Sequence, residues 1–167
     1  LCGARGFAAE LGHLTFPFAA GRICGCGREG CLETVASAGG IVETALRMMA
    51  ESDVPSVLRE VDDVSLSAKS IAEAAEVGDS LARQVYDFTG RCLGVAAAEF
   101  AAFADPDAII LCGGVAKAGE LLARPMREAF DGHVLHLYRG KVSILTSSLC
   151  DADAAIIGAA SLPYAAE

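Results

Sequence analysis

Glu10-Leu11-Gly12-His13, followed by Gly21-Arg22-Ile23-Cys24-Gly25-Cys26-Gly27-Arg28-Glu29-Gly30-Cys31-Leu32-Glu33, is the stretch that organises this chain. One imidazole (His13) and three thiols (Cys24, Cys26, Cys31) in so short a span form the donor set of a closed, tetrahedral zinc site. Glycines lie between and beside the cysteines, and glycine takes the backbone angles that a tight loop needs to turn its sulfurs inward. Two acids flank the cluster, Glu10 before the histidine and Glu33 after the last cysteine. A metal that folded this loop would also fix where those carboxylates point. Two other readings of the thiols stand beside zinc: ordinary buried cysteines, or a disulfide between close neighbours. The first suits Cys2, Cys92, Cys112 and Cys150, which are scattered in apolar surroundings, better than it suits Cys24, Cys26 and Cys31. The odd total of seven cysteines and the lack of a repeated spacing argue against a secreted disulfide scaffold.

The chain has 167 residues, 53% of them hydrophobic, which suits one domain with a real core. Its formal charge of −9 opposes non-specific binding to a phosphate backbone, so direct nucleic-acid contact by this segment is not expected. The longest apolar region, residues 93–104, is too short for a bilayer and is interrupted by Glu99, with Arg91 just ahead of it. No signal peptide is visible, and reduced thiols point to the cytoplasm. Leu1 is not an initiator methionine, so the expectation is a C-terminal part of a longer polypeptide.

Residues 1–31 read as glycine-rich and irregular, with a short strand at 14–16. Apolar residues at helical spacing predict a helix from Leu32 to about Glu51, which Ser37-Ala38-Gly39-Gly40 weakens and breaks in two. The acidic run 60–63 reads as a solvated face. Ser67 starts a helix through Ala75, closed by Gly78, and Asp79 caps a long helix over 80–104 with a small-residue face at Gly90, Gly94, Ala97 and Ala101. Asp105-Pro106-Asp107 ends it. Ala108-Ile109-Ile110-Leu111-Cys112 is a continuous apolar run of the buried-strand kind. Gly113-Gly114 turn into a helix over 115–130, a second strand covers 142–145, and a last helix runs from Ala152 to Leu162 with Pro163 beyond it. Strands alternating with helices in this half make the class α/β, with at least one strand–helix crossover. A ligand can approach the backbone closely at the Gly113-Gly114 turn, although by itself a turn is the simpler reading.

Taken together, these residues resemble the ROK family, named for repressors, open reading frames and kinases. Glu10-Leu11-Gly12-His13 matches its ExGH motif and residues 21–33 match its GxxCxCGxxGCLE signature, which is highly specific. Ile110-Leu111-Cys112-Gly113-Gly114-Val115-Ala116-Lys117-Ala118-Gly119 looks like its adenosine-binding segment, and 148–160 is similar to its closing helix. The resemblance covers nearly the whole chain. It implies the C-terminal lobe of a hexokinase and actin-like ATPase (ribonuclease H-like) fold over residues 1–167, helix-rich, with a zinc-stabilised loop.

The function it implies is phosphorylation of a hexose hydroxyl, glucose first among hexoses, with Mg-ATP. Glu10, His13 and Glu33 would contact sugar, His13, Cys24, Cys26 and Cys31 would bind zinc, and Gly113, Gly114 and Val115 would meet the nucleotide. It also implies a homodimer. Taken alone, Glu10 and Glu33 would read as plain surface acids; the motif reverses that preference. The family's catalytic aspartate and main phosphate loops precede ExGH, so no base is assigned here and the chain alone is expected to be inactive. The other class of function in the same family is the sugar-sensing effector domain of a transcriptional repressor.

Overall fold

Asp79 starts the longest element. Its carboxylate accepts from the amide of Ala82 at 2.9 Å, and it also accepts from the Val57 amide at 2.8 Å and the Ser56 hydroxyl at 3.0 Å. Burial pushes this carboxyl up, but these hydrogen bonds, with one from the Leu81 amide, together outweigh burial and hold its pKa below the ordinary value. The computed structural model describes residues 3–149 and 151–161. Among them the helices are α1 (Glu33–Ala36), α2 (Ala38–Glu51), α3 (Ala68–Glu76), α4 (Ser80–Ala104), α5 (Glu120–His133) and α6 (Asp151–Ser161). The strands are β1 (Ala108–Leu111) and β2 (Ser143–Thr146).

The expected starts and breaks in the first half are present, each for a local reason. Ser37 is extended and its hydroxyl accepts from the Gly40 amide, so α1 stops and α2 begins at that residue. Ser67 caps α3, with Ser70 completing a reciprocal capping box. Asp105 adopts a left-handed φ of 46° and Pro106 follows, which stops α4. The region expected as a strand at 14–16 is reduced to a single antiparallel bridge between Thr15 and Cys31.

The small-residue face of α4 lies against α5, its most extensive partner. A Cβ added at Gly90 would stand 2.6 Å from the Leu122 carbonyl oxygen and 2.6 Å from Pro125 Cγ. At Gly94 it would meet the Met126 carbonyl oxygen and, at 2.7 Å, Ala129 Cβ. Three apolar clusters result. Ile41, Leu58, Ile71, Leu81 and Tyr86 tie α2 and α3 to the first half of α4. Ala97, Ala101, Met126, Phe130 and Ile144 join the second half to α5 and β2. Ala19, Val35 and Cys92 bind the cysteine-rich N-terminal region to α4.

β1 and β2 pair in parallel, Ala108 opposite Ser143 through Leu111 opposite Thr146, with α5 in the crossover. Two expectations are corrected here. The strand is not buried on both faces: Ile109 and Leu111 pack on the core, while Ile110 is 61% and Leu145 51% exposed. Nor does one helix run over 115–130. Residues Val115–Ala118 form a 3-10 turn, and Gly119, at φ 56°, reverses the chain before α5 begins at Glu120. Cys92 is buried as expected, but Cys112 is exposed, and Cys2 and Cys150 lie outside the described residues. Leu162 and Pro163 lie outside them too. No helix among the described residues is long and apolar enough to cross a membrane.

Candidate metal and sugar site

Two short loops bring the four donors together. Leu11–His13 is a 3-10 turn, closed by the His13 amide on the Glu10 carbonyl at 3.1 Å. In the second loop the Gly27 amide reaches the Cys24 carbonyl at 2.9 Å, and the Cys24 amide reaches the Arg28 carbonyl at 2.8 Å. Gly27 sits at φ 84° and Gly30 at φ 81°, a region in which a Cβ is strained, so glycine permits both reversals. The Phe16 amide then donates to Gly30 and the Leu32 amide to Leu14, both at 2.9 Å, which lays the His13 turn beside Cys31.

The donor atoms of His13, Cys24, Cys26 and Cys31 all lie within 4.8 Å of one another. His13 Nδ1 is 3.6 Å from Cys24 Sγ, and Cys26 Sγ is 3.7 Å from Cys31 Sγ. Zinc at about 2.3 Å from sulfur and about 2.0 Å from imidazole nitrogen would separate tetrahedral donors by roughly 3.5–3.8 Å. The donor set therefore fits zinc in type, and these two separations fit its tetrahedral spacing. The Cys26 sulfur accepts from the Arg28 amide and from the Cys24 thiol, and its pKa is lowered. The Cys26 amide alone would lower Cys24, but burial and the hydrogen bonds it makes as a thiol push it up to about 12. Burial raises Cys31. Zinc binding would require these thiols to give up their protons.

The other face of the imidazole looks outward. His13 Nε2 is 3.9 Å from Glu10 Oε2 and 3.9 Å from Glu33 Oε2. Glu33 opens α1, and its Oε1 accepts from Cys24 Sγ at 3.5 Å. Exposed ion pairs of this length contribute little to stability. Two exposed carboxylates around one ring nitrogen are better suited to accepting from hydroxyls of a polar ligand, since charged acceptors make the stronger hydrogen bonds.

Gly113, Gly114 and Val115 form a second locus, at the carboxyl end of β1. Gly113 is at φ 89°, and a Cβ at Gly113 or Gly114 would meet nothing within 4 Å. Backbone there is open to close approach by a ligand, while Val115 packs on the first apolar cluster. Sequence reasoning missed two residues of the first locus. Arg28 Nη1 donates to the His13 carbonyl at 3.0 Å, and Arg22 is buried behind the loop. Neither position carried a signal beyond being basic within a glycine-rich run.

A family model described as "ROK family" matches residues 1–165. The chain belongs to the ROK family. Among curated ROK relatives, a glucokinase of Halalkalibacterium halodurans is 36% identical over 95% of this chain and 48% of its own length. The "DNA-binding transcriptional dual regulator NagC" of Escherichia coli K12 is 31% identical over 88% of this chain and 35% of its own. Among solved structures, a ROK family glucokinase from Streptomyces griseus in complex with glucose and AMPPNP superposes with a TM-score of 0.83 at 31% identity. That match covers 97% of this chain and 53% of the other. The chain thus spans about half or less of the length of the curated relatives it matches. Its fold is that of ROK sugar kinases, in the actin-like ATPase superfamily, as a helix-rich α/β structure.

Proposed function

We propose that residues 1–167 are the C-terminal lobe of a cytoplasmic, homodimeric, ATP-dependent sugar kinase, glucokinase-like, that phosphorylates a hexose hydroxyl. The sugar site rests on the double role of His13, with Nδ1 among three thiols and Nε2 between Glu10 and Glu33; what favours a kinase over a sensor is the adenosine-like segment with its open turn at Gly113 and Gly114. His13, Cys24, Cys26 and Cys31 hold a structural zinc, which supplies a fixed loop and a fixed imidazole tautomer. His13 Nε2–H then donates to a sugar hydroxyl, and the Glu10 and Glu33 carboxylates accept from others. Glucose is the first hexose to test, given the glucokinase relatives. Gly113, Gly114 and Val115 take the adenosine of Mg-ATP where the turn is open. Phosphoryl transfer needs positioning, Mg and a base together; no base is assigned among these residues, and it belongs to the N-terminal lobe of the full-length protein.

The full-length protein should phosphorylate glucose with Mg-ATP, and residues 1–167 alone should not. Turnover by the isolated chain would overturn the placement of the base. The second reading, a sugar-sensing effector domain, draws on NagC and on a ROK transcriptional regulator structure, a homologue of the E. coli MLC protein, 32% identical with a TM-score of 0.75. Hexose binding without phosphorylation by the full-length protein would favour that reading.

A further inference from the structure

Arg22 is charged yet only 5% exposed, and it lies two residues before Cys24. The break at Ser37 explains its position. In an unbroken helix the Thr34 carbonyl would accept from the amide of residue 38; α1 ends at Ala36, and that acceptor needs another donor. Arg22 Nη1 supplies it at 2.8 Å and reaches the Gly40 carbonyl, in the first turn of α2, at 3.3 Å. The two carbonyls are held together by close packing, since a Cβ at Gly40 would stand 2.6 Å from the Thr34 carbonyl carbon and oxygen. The network continues on both sides. Thr34 Oγ1 donates to the Cys31 carbonyl at 2.7 Å, and Thr44 Oγ1 to the Gly40 carbonyl at 2.7 Å. The Arg22 backbone belongs to the metal loop itself, its carbonyl accepting from the Gly30 amide at 2.9 Å.

We propose that Arg22 is a positioning residue: its buried guanidinium locks the α1–α2 break to the cysteine loop and so fixes where Glu33, the first residue of α1, presents its carboxylate beside His13. This rests on the hexose-site reading given above. α1 is four residues long, too short to hold its direction by its own hydrogen bonds. Its packing contact in the third cluster is Val35. A buried cation costs solvation energy that a purely apolar plug at this point would not. Desolvation lowers the guanidinium pKa, with Glu43 opposing, and arginine stays charged regardless. Nη1 by itself donates to two carbonyls, one from each helix, which an aliphatic side chain cannot do.

The test uses Arg22→Lys and Arg22→Met in the full-length protein. Four quantities are measured: zinc content, glucose affinity by calorimetry, affinity for a non-hydrolysable ATP analogue, and amide hydrogen exchange over residues 33–37. Both variants should retain one zinc per chain and bind the nucleotide within twofold of wild type. Glucose binding should weaken at least tenfold in the Met variant and less in the Lys variant, which keeps a cationic donor at this position. Exchange at 33–37 should quicken in both. Wild-type glucose affinity and unchanged exchange in a folded variant would overturn the inference, as would loss of glucose binding only in step with loss of zinc. If Arg22→Met does not fold, the Lys variant decides by the same readouts. If wild type itself fails to bind glucose, the hexose reading fails, and the exchange measurement alone decides whether Arg22 fixes α1.

Discussion

A histidine ring has two nitrogens, and at His13 each faces a different chemistry. Nδ1 is 3.6 Å from the Cys24 sulfur, while Nε2 is 3.9 Å from each of two carboxylates. A metal on one nitrogen fixes the proton on the other, which is how a structural ion orients a ligand contact it does not touch. This separates the roles of neighbours that look alike in sequence. Cys26→Ser should abolish the one zinc per chain measured by metal analysis and loosen residues 10–33, because such sites contribute folding energy directly. Glu10→Gln should leave zinc in place and weaken hexose binding by about ten- to a hundredfold, the scale of one charge-assisted hydrogen bond of roughly 1.5–3 kcal/mol. Zinc lost in Glu10→Gln, or retained in full after Cys24, Cys26 and Cys31 all become serine, would contradict this division. The donor set was legible because three cysteines and a histidine at that spacing have few other uses. Arg22 was not, because its burial is set by two carbonyls contributed by helices that begin later in the chain.

Elements were legible where a side chain writes the boundary. Asp79, Ser67 and Ser37 each accept from the third amide of the helix they start; the first two starts fall where they were expected, and the third lies within the expected break at 37–40. The helix expected from Val115 failed because periodicity carries no record of Gly119's positive φ. The apolar run of β1 suggested two covered faces, yet among the described residues one face, with Ile110, is open. Close packing decides the α4–α5 pair. Gly94→Ala would ordinarily gain about 1 kcal/mol of helix propensity. The Met126 carbonyl and Ala129 stand in the way, and overpacking costs about 1–3 kcal/mol or more, so the net effect on thermal unfolding should be destabilising. Gly132→Ala in α5, with nothing within 4 Å of its Cβ, should be neutral or stabilising in the same assay. At the other locus, Gly114→Val should raise the KM for ATP in the full-length enzyme far more than that for sugar. Equal effects on both would make the turn structural only.

At the scale of the molecule, α4 links the metal loop, through Ala19, Val35 and Cys92, to α5 and the two-stranded sheet that ends in the Gly113-Gly114 turn. The proposed hexose and nucleotide loci, residues 10–33 and 113–115, thus both rest on elements packed against α4. Membership of the ROK family was legible in two motifs, because both combine rare residue types with fixed spacing. Kinase or sensor was not, since the metal loop serves either. The proposed bridge through His13 makes a thermodynamic demand on the whole protein: zinc and hexose must bind with reciprocal coupling. Without zinc, a hexose must order the ring, the loop and Glu33 as it binds, and one charge-assisted hydrogen bond plus that ordering amounts to roughly 2–4 kcal/mol, or about thirty- to several-hundred-fold in affinity. The most direct test is calorimetric titration of glucose into the folded full-length protein with and without zinc. Affinity should fall by that factor when zinc is removed, and equal affinity in the two forms would contradict the bridge and reduce the metal to a distant staple.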